Sequence, residues 1–206
     1  MQASRFPFEY PKEAHRRKHG PADYSHYSKY RDWLRDEFEF RCVYCLRREA
    51  WEMLEGCWDI DHFVPRAIRS DLALDYDNLV YACHRCNQCK RVHLFPDPCQ
   101  HAYGKHLQVG EDGSIRSSTP EGHRMIRLLK LDTPSAKRYR YLKVRTGRSF
   151  LKNDPAAYAV FMGYPAEDEL PDIEALNRKI SRNSRPEGVE KSCLARKRSG
   201  TLPQIY

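Results

Sequence analysis

Three pieces of sequence, C-V-Y-C (Cys42–Cys45), D-I-D-H-F-V-P-R (Asp59–Arg66) and N-L-V-Y-A-C-H-R-C-N-Q-C-K (Asn78–Lys90), fall within one stretch from Cys42 to Lys90. Cys42/Cys45 and Cys83/Cys86 each leave two residues between thiols, a spacing at which a tight knuckle turns both sulfurs toward one tetrahedral ion. Cysteines are often simply buried as small apolar side chains, but two such pairs in one short segment point to zinc. Spacing alone also permits Cys86/Cys89 as the second pair, because Cys89 lies three residues beyond Cys86. Between the pairs stands Asp61-His62, a hard oxygen ligand beside a side chain that can take a proton near neutral pH. Alone, that dipeptide is more often an ordinary turn; between two knuckles it gains weight.

The stretch resembles the HNH endonucleases, in particular their four-cysteine, zinc-stapled form. That resemblance implies an α+β fold whose centre is a small ββα-metal core, a hairpin followed by a helix, here flanked by helices and a second hairpin. It puts the first letter of the motif on His62, the second on Asn78 and the third on Asn87, an H-N-N variant. The family's C-x-x-C-N-x-x-K pattern also selects Cys83/Cys86 as the zinc pair, with Asn87 one residue past the knuckle and Lys90 three further on. The likeness covers Cys42 to Lys90 and the remainder of the chain only loosely.

Phosphodiester hydrolysis needs an activated water, a Lewis acid on the developing negative charge, and positioning. The resemblance implies that neutral His62 deprotonates the water. Asp61 and the amide oxygen of Asn87 then hold one divalent ion, Mg²⁺ or Mn²⁺, which leaves most positions to water and phosphate. Asn78 carries no proton; its side chain bonds loop backbone and so fixes His62, although D-Y-D-N (Asp75–Asn78) is also a plain turn sequence. Arg66, Lys90 and Arg91 are candidate phosphate contacts, the last two because a helix sets them beside Asn87. Two metals are thus expected with separate tasks, thiolate zinc as a staple and a hard cation at the phosphate.

The chain has 206 residues, of which 31% are charged, with a net charge of +8 and eight cysteines. A basic excess suits a polyanionic partner, most simply double-stranded DNA. The sequence contains no apolar run near the roughly 20 residues that span a bilayer and no apolar signal-peptide core, so a cytoplasmic protein without membrane contact is expected. A reducing compartment also suits thiolate zinc, with Cys57, Cys89, Cys99 and Cys193 as free thiols. No phosphate loop or dinucleotide fingerprint is present.

Residues 1–23 read as a basic N-terminal arm, 24–95 as the nuclease core with its zinc site, 96–180 as a hairpin and helical extension, and 181–206 as a basic, extended tail. Tyr27, Tyr30, Trp33, Leu34, Phe38 and Phe40 recur near helical spacing and predict an amphipathic helix over 24–40 whose aromatics are core. Leu46–Gly56 is a polar lead into the first strand, C-W-D-I-D-H; L-V-Y-A (Leu79–Ala82) is the second, and a helix runs from His84 to about Leu94, with His84 and His93 on its surface. His106–Ser117 alternates around a Gly-Glu-Asp-Gly turn and predicts a hairpin. Thr119-Pro120, Thr133-Pro134 and Asn153-Asp154-Pro155 predict capped helix starts. A last short helix is predicted over Ile173–Ile180. Lys137, Arg138, Arg140, Lys143, Arg145 and Arg148 on the second of the capped helices form the strongest charge asymmetry, read as a nucleic-acid contact. The family resemblance also implies work beside a protein partner, as in phage-defence systems that pair an HNH protein with an ATPase. The rival reading is a zinc-stabilised nucleic-acid-binding module without catalysis.

Overall fold

Strand β1 (Trp58–His62) pairs antiparallel with β2 (Leu79–Cys83), from Trp58 opposite Cys83 to His62 opposite Leu79. The computed structural model describes residues 6–52 and 56–206. All five residues of β2 are buried, which accounts for its unbroken apolar run: helix α1 (Arg31–Glu37) and helix α2 (His84–Lys90) both pack on it. Hairpin and α2 together make a ββα unit within a mixed α+β fold.

The knuckle Cys42–Cys45 is tied to the hairpin by the Val43 amide, which donates to Tyr81 O at 3.0 Å, while the His84 amide donates to Cys57 O at 2.8 Å. Within residues 24–95, two predicted helices are shorter than their patterns suggest. The 24–40 segment is a 3-10 turn (Tyr27–Tyr30) followed by α1, and it ends where Glu39 and Phe40 take positive φ of 52° and 56°. Helix α2 stops at Lys90 because Arg91 turns to φ 49°. The aromatics do form core: Tyr30, Trp33, Phe38 and Phe40 are all buried.

Beyond the core, β3 (Gln108–Val109) and β4 (Ile115–Arg116) form the second hairpin. Helices α3 (Pro120–Leu128), α4 (Pro134–Asn153) and α5 (Pro155–Met162) each begin on the expected proline, with Thr119, Thr133 and Asp154 accepting from the amides of Gly122, Ala136 and Ala157. A side-chain acceptor plus a proline at the first helical position meets two of the unpaired amide positions of a helix start, so these boundaries follow the sequence closely. Helix α6 (Ile173–Asn177) is shorter than predicted.

Two expectations are corrected by packing. Of residues 1–23, positions 1–5 lie outside the described residues; the rest is irregular, as a basic arm would be, but it buries Phe8, Tyr10 and His19 and so packs on the core instead of standing off it. The tail read as extended contains helix α7 (Cys193–Arg198) and buries Cys193, Leu194 and Tyr206. Both segments reach the buried carboxylate of Asp36. His19 Nε2 lies 2.7 Å from Asp36 Oδ2, and Lys18 Nζ donates to the same carboxylate at 3.1 Å. The Cys193 amide donates to Asp36 Oδ1 at 2.6 Å. Of the segment Leu46–Gly56, residues 53–55 lie outside the described residues.

Candidate active site

Cys42 and Cys45 leave the knuckle, Cys83 ends β2 and Cys86 sits in the first turn of α2, and their four sulfurs all lie within 4.8 Å of one another. Cys45 Sγ and Cys83 Sγ are 3.7 Å apart. A tetrahedral zinc with bonds of about 2.3 Å demands sulfur separations of about 3.8 Å, so the donor set fits that ion. Burial pushes the Cys42 thiol well up in the absence of a cation, and its sulfur neighbours push Cys86 up as well. A divalent ion reverses that tendency by binding thiolates outright. Cys89 is half-buried and lies outside the cluster, which resolves the choice of second pair in favour of Cys83/Cys86. It is the one group of three or more metal-ligating cysteine, histidine or acidic side chains among the described residues.

The carboxylates of β1 meet the polar face of α2. Asp59 and Asp61, two apart on a strand, share one face, and Asn87 and Lys90, three apart on a helix, do likewise. The elements dock so that Asn87 faces Asp59 and Lys90 faces Asp61. Asn87 Nδ2 donates to Asp59 Oδ2 at 2.9 Å, and His84 Nδ1 lies 2.9 Å from the same oxygen. Lys90 Nζ donates to Asp61 Oδ1 at 3.0 Å and to His62 O at 2.8 Å, and Tyr44 Oη donates to Asp61 Oδ2 at 2.6 Å. Burial raises the Asp61 carboxyl, while Lys90 and the Tyr44 hydroxyl draw it back down.

Two expectations change here. Lys90 is fully buried, so it is not a phosphate contact; it neutralises Asp61 and holds the backbone of His62. The pair Asp61 and Asn87 does not form an open divalent site in this arrangement. Both oxygens of Asp61 are engaged in a pocket that leaves the residue 4% exposed, and the Asn87 amide is turned to Asp59. A hard cation that keeps several waters needs more solvent access than that.

His62 lies on the other face of β1, half-buried. Its Nε2 is 3.0 Å from Ala73 O. A carbonyl only accepts, so Nε2 carries the proton and Nδ1 is the basic nitrogen. The Tyr27 ring meets the imidazole edge-on, with centroids 4.8 Å apart, and the exposed Arg66 guanidinium lies 5.4 Å above that tyrosine. Burial lowers the His62 pKa below the ordinary histidine value against the pull of Ala73 O, and the charges of Arg66 and Lys90 lower it further. Asn78 is buried beside it: Oδ1 accepts from the Val64 amide at 2.8 Å, and Nδ2 donates to Val64 O at 3.0 Å and Leu72 O at 3.2 Å. The bonds run to loop backbone on both sides of the turn. Arg91 is exposed just past α2.

The basic row on α4 is less available than its spacing suggests. Arg140 is buried and donates to Gly113 O at 2.8 Å, Lys137 pairs with Asp112 at 3.0 Å, and Arg148 pairs with Glu111. Lys143 lies over the rings of Trp51 and Tyr139. The acids come from the turn of the β3–β4 hairpin, which docks on this helix through Gly113: φ there is +75°, and a side chain would strike Lys137 O.

Residues 42–92 match the family model described as HNH endonuclease. No curated protein matches the chain. An HNH-type segment with a four-cysteine metal-binding cluster is therefore present, an arrangement of nuclease type. No helix among the described residues is long and apolar enough to cross a membrane.

Proposed function

We propose that the chain is an endonuclease that hydrolyses phosphodiester bonds in DNA, with His62 as the general base. The observation that supports this best is the state of the imidazole. Ala73 O holds Nε2–H, burial keeps the ring neutral near pH 7, and Nδ1 is left to take a proton from water. Asn78 holds the loop on which Ala73 and Val64 lie, the role that the family resemblance assigns to it. Arg66 and Arg91 are the proposed phosphate contacts. Mg²⁺ or Mn²⁺ is proposed as a requirement on the resemblance alone, and Asp61 with Asn87 does not hold it in the arrangement described above.

The segments beyond residues 42–92 are proposed to hold the duplex or a protein partner such as an ATPase, with phage defence as the setting. A second reading, binding of nucleic acid without catalysis, is favoured by one observation, the engagement of Asp61 by Lys90 and Tyr44.

The experiment that separates the two is incubation of supercoiled plasmid with the zinc-loaded protein and Mg²⁺ or Mn²⁺. Wild type should yield relaxed or linear product, and His62→Ala should lose about a hundred- to ten-thousandfold in rate while retaining its zinc and its melting temperature. Because the neutral base is the active form, the rate should fall as pH drops through a value below the ordinary histidine pKa of about 6.5. Wild type without metal-dependent cleavage of any DNA form refutes the nuclease reading.

A further inference from the structure

Residues 77–79, at the entry to β2, are held from two sides by segments outside the family match. Arg17 Nη2 donates to Asp77 O at 3.1 Å and to Leu79 O at 2.7 Å, the carbonyls on either side of Asn78. Its guanidinium lies over Phe38 and Tyr76, 5.0 and 5.4 Å from the ring centroids, so its charge faces π-clouds on an apolar bed. Arg185 grips the Asp77 carboxylate with both Nη atoms, at 3.0 and 2.8 Å, and Nη1 also donates to His19 O at 2.9 Å.

The two arginine-bearing segments are joined to each other. The Ser184 amide donates to Gly20 O at 2.9 Å, the Ala22 amide donates to Arg182 O at 3.0 Å, and Pro21 and Asn183 form a β-bridge. From residues 77–79 the contacts continue to the base. The Phe63 amide donates to Asn78 O at 2.8 Å, the Asn78 side chain holds Val64 and Leu72, and Ala73, the neighbour of Leu72, holds His62 Nε2.

We propose that Arg17 and Arg185 are positioning residues for the His62 loop, acting through Asp77 and Asn78; the kinetic part of this rests on the nuclease reading above. A surface ion pair such as Arg185–Asp77 contributes little stability by itself. The planar guanidinium of Arg17 does something a point charge does not. Nη2 donates to both carbonyls, and the plane of the guanidinium behind it is seated on the Phe38 and Tyr76 rings, so the direction of both bonds is set by that stacking, which a lysine cannot reproduce. A base displaced by about 1 Å loses on the order of a hundredfold in rate, so small loosening of this brace is readable in turnover.

The test uses the full, zinc-loaded chain with Arg17→Lys, Arg185→Gln, Asp77→Asn and the double variant Arg185→Gln/Asp77→Asn. Two independent readouts are taken: hydrogen exchange at the Phe63 and Val64 amides, and kcat and KM for plasmid nicking. The expected result is exchange at both amides faster by about tenfold or more, with kcat down about ten- to hundredfold and KM nearly unchanged. The double variant should be no worse than Arg185→Gln alone, because that substitution already removes the contact to Asp77. Folded variants that exchange and nick like wild type overturn the proposal. Should Arg17→Lys fail to fold, Arg185→Gln and Asp77→Asn decide it. A wild type that does not nick refutes the nuclease reading alone, and the exchange rates then decide the brace: acceleration in the variants supports it, and unchanged protection overturns it.

Discussion

Replacing Lys90 with Met tests whether this lysine is an interior counter-charge or a hand for phosphate. Its Nζ is fully buried, 3.0 Å from Asp61 Oδ1 and 2.8 Å from His62 O. At an effective dielectric of 20, two unit charges at that separation attract by about 5 to 6 kcal/mol, part of which is offset by the desolvation of both groups. The methionine fills most of the volume but leaves a carboxylate buried without a partner charge, and breaking a buried pair in this way costs about 3 to 5 kcal/mol. Lys90→Met should therefore lower the urea midpoint substantially at pH 7.5 and fixed free zinc.

The cost should also depend on pH, with a definite sign. Burial raises the Asp61 carboxyl and Lys90 opposes that rise, so loss of Lys90 lifts the folded-state pKa further. A carboxyl whose pKa is higher in the folded chain binds protons preferentially there, so the variant recovers stability relative to wild type as pH falls toward 5. Asp61→Asn/Lys90→Met removes both charges and keeps an acceptor for Tyr44, and it should be more stable than Lys90→Met alone. An exposed phosphate contact behaves otherwise: its loss shifts the midpoint by less than about 0.5 kcal/mol and lowers the salt slope of DNA binding by about one. A Lys90→Met protein with a wild-type midpoint at both pH values, or a double variant as damaged as the sum of its parents, refutes the docking of α2 on β1 described here.

Two further outcomes follow from the geometry. Ser in place of Cys83 should abolish stoichiometric zinc and cooperative unfolding, whereas Cys89→Ser should retain both, measured by elemental analysis and thermal melting; zinc loss in Cys89→Ser refutes the ligand set. Glu37 is fully buried, and although burial favours its neutral form, the His15 imidazole, with Arg17 and His19 nearby, holds it down to about 2. A carboxyl depressed in the folded state contributes stability that is complete above its unfolded pKa of about 4.3 and is lost as pH falls toward the folded value. Wild-type melting temperature should thus fall steeply between about pH 5 and pH 2, and Glu37→Gln should flatten that slope; parallel curves for the two proteins count against the buried network.

Spacing of two residues between thiols is a local property, so the cysteine knuckles were legible, although the choice of Cys83/Cys86 over Cys86/Cys89 came from the family pattern; the helix starts were legible too, where cap and proline are adjacent in sequence. The pairing across the site was half legible. D-I-D on a strand and N-x-x-K on a helix each define a face, and setting those faces together gives Asp59 with Asn87 and Asp61 with Lys90. Family order instead draws Asp61 toward an ion, because nothing near Asp61 in sequence shows that Tyr44, from the knuckle, closes the pocket over it. The α4 row was partly misread for the same reason: the acids that pair with Lys137 and Arg148, Asp112 and Glu111, sit in a turn distant in sequence. Arg17 and His19 read only as part of a basic arm because their partners, Asp36, Glu37 and the carbonyls beside Asn78, lie on elements with which they share no local pattern.

The matched segment also depends on what surrounds it. The four-cysteine cluster joins the first knuckle to the end of β2 and the start of α2, but it covers neither face of the hairpin. β2 is buried at all five positions because α1 packs on it, and Arg31 of that helix donates to Trp58 O at 3.0 Å. His62 borrows a wall from Tyr27, and Tyr44, which holds Asp61, has its own carbonyl bonded by Tyr10 Oη at 2.8 Å. The imidazole proposed as the base is thus partly shielded by a side chain far from it in sequence. The staple fixes connectivity within residues 42–92, and the flanking segments fix the orientation and the dielectric surroundings that set the protonation of His62.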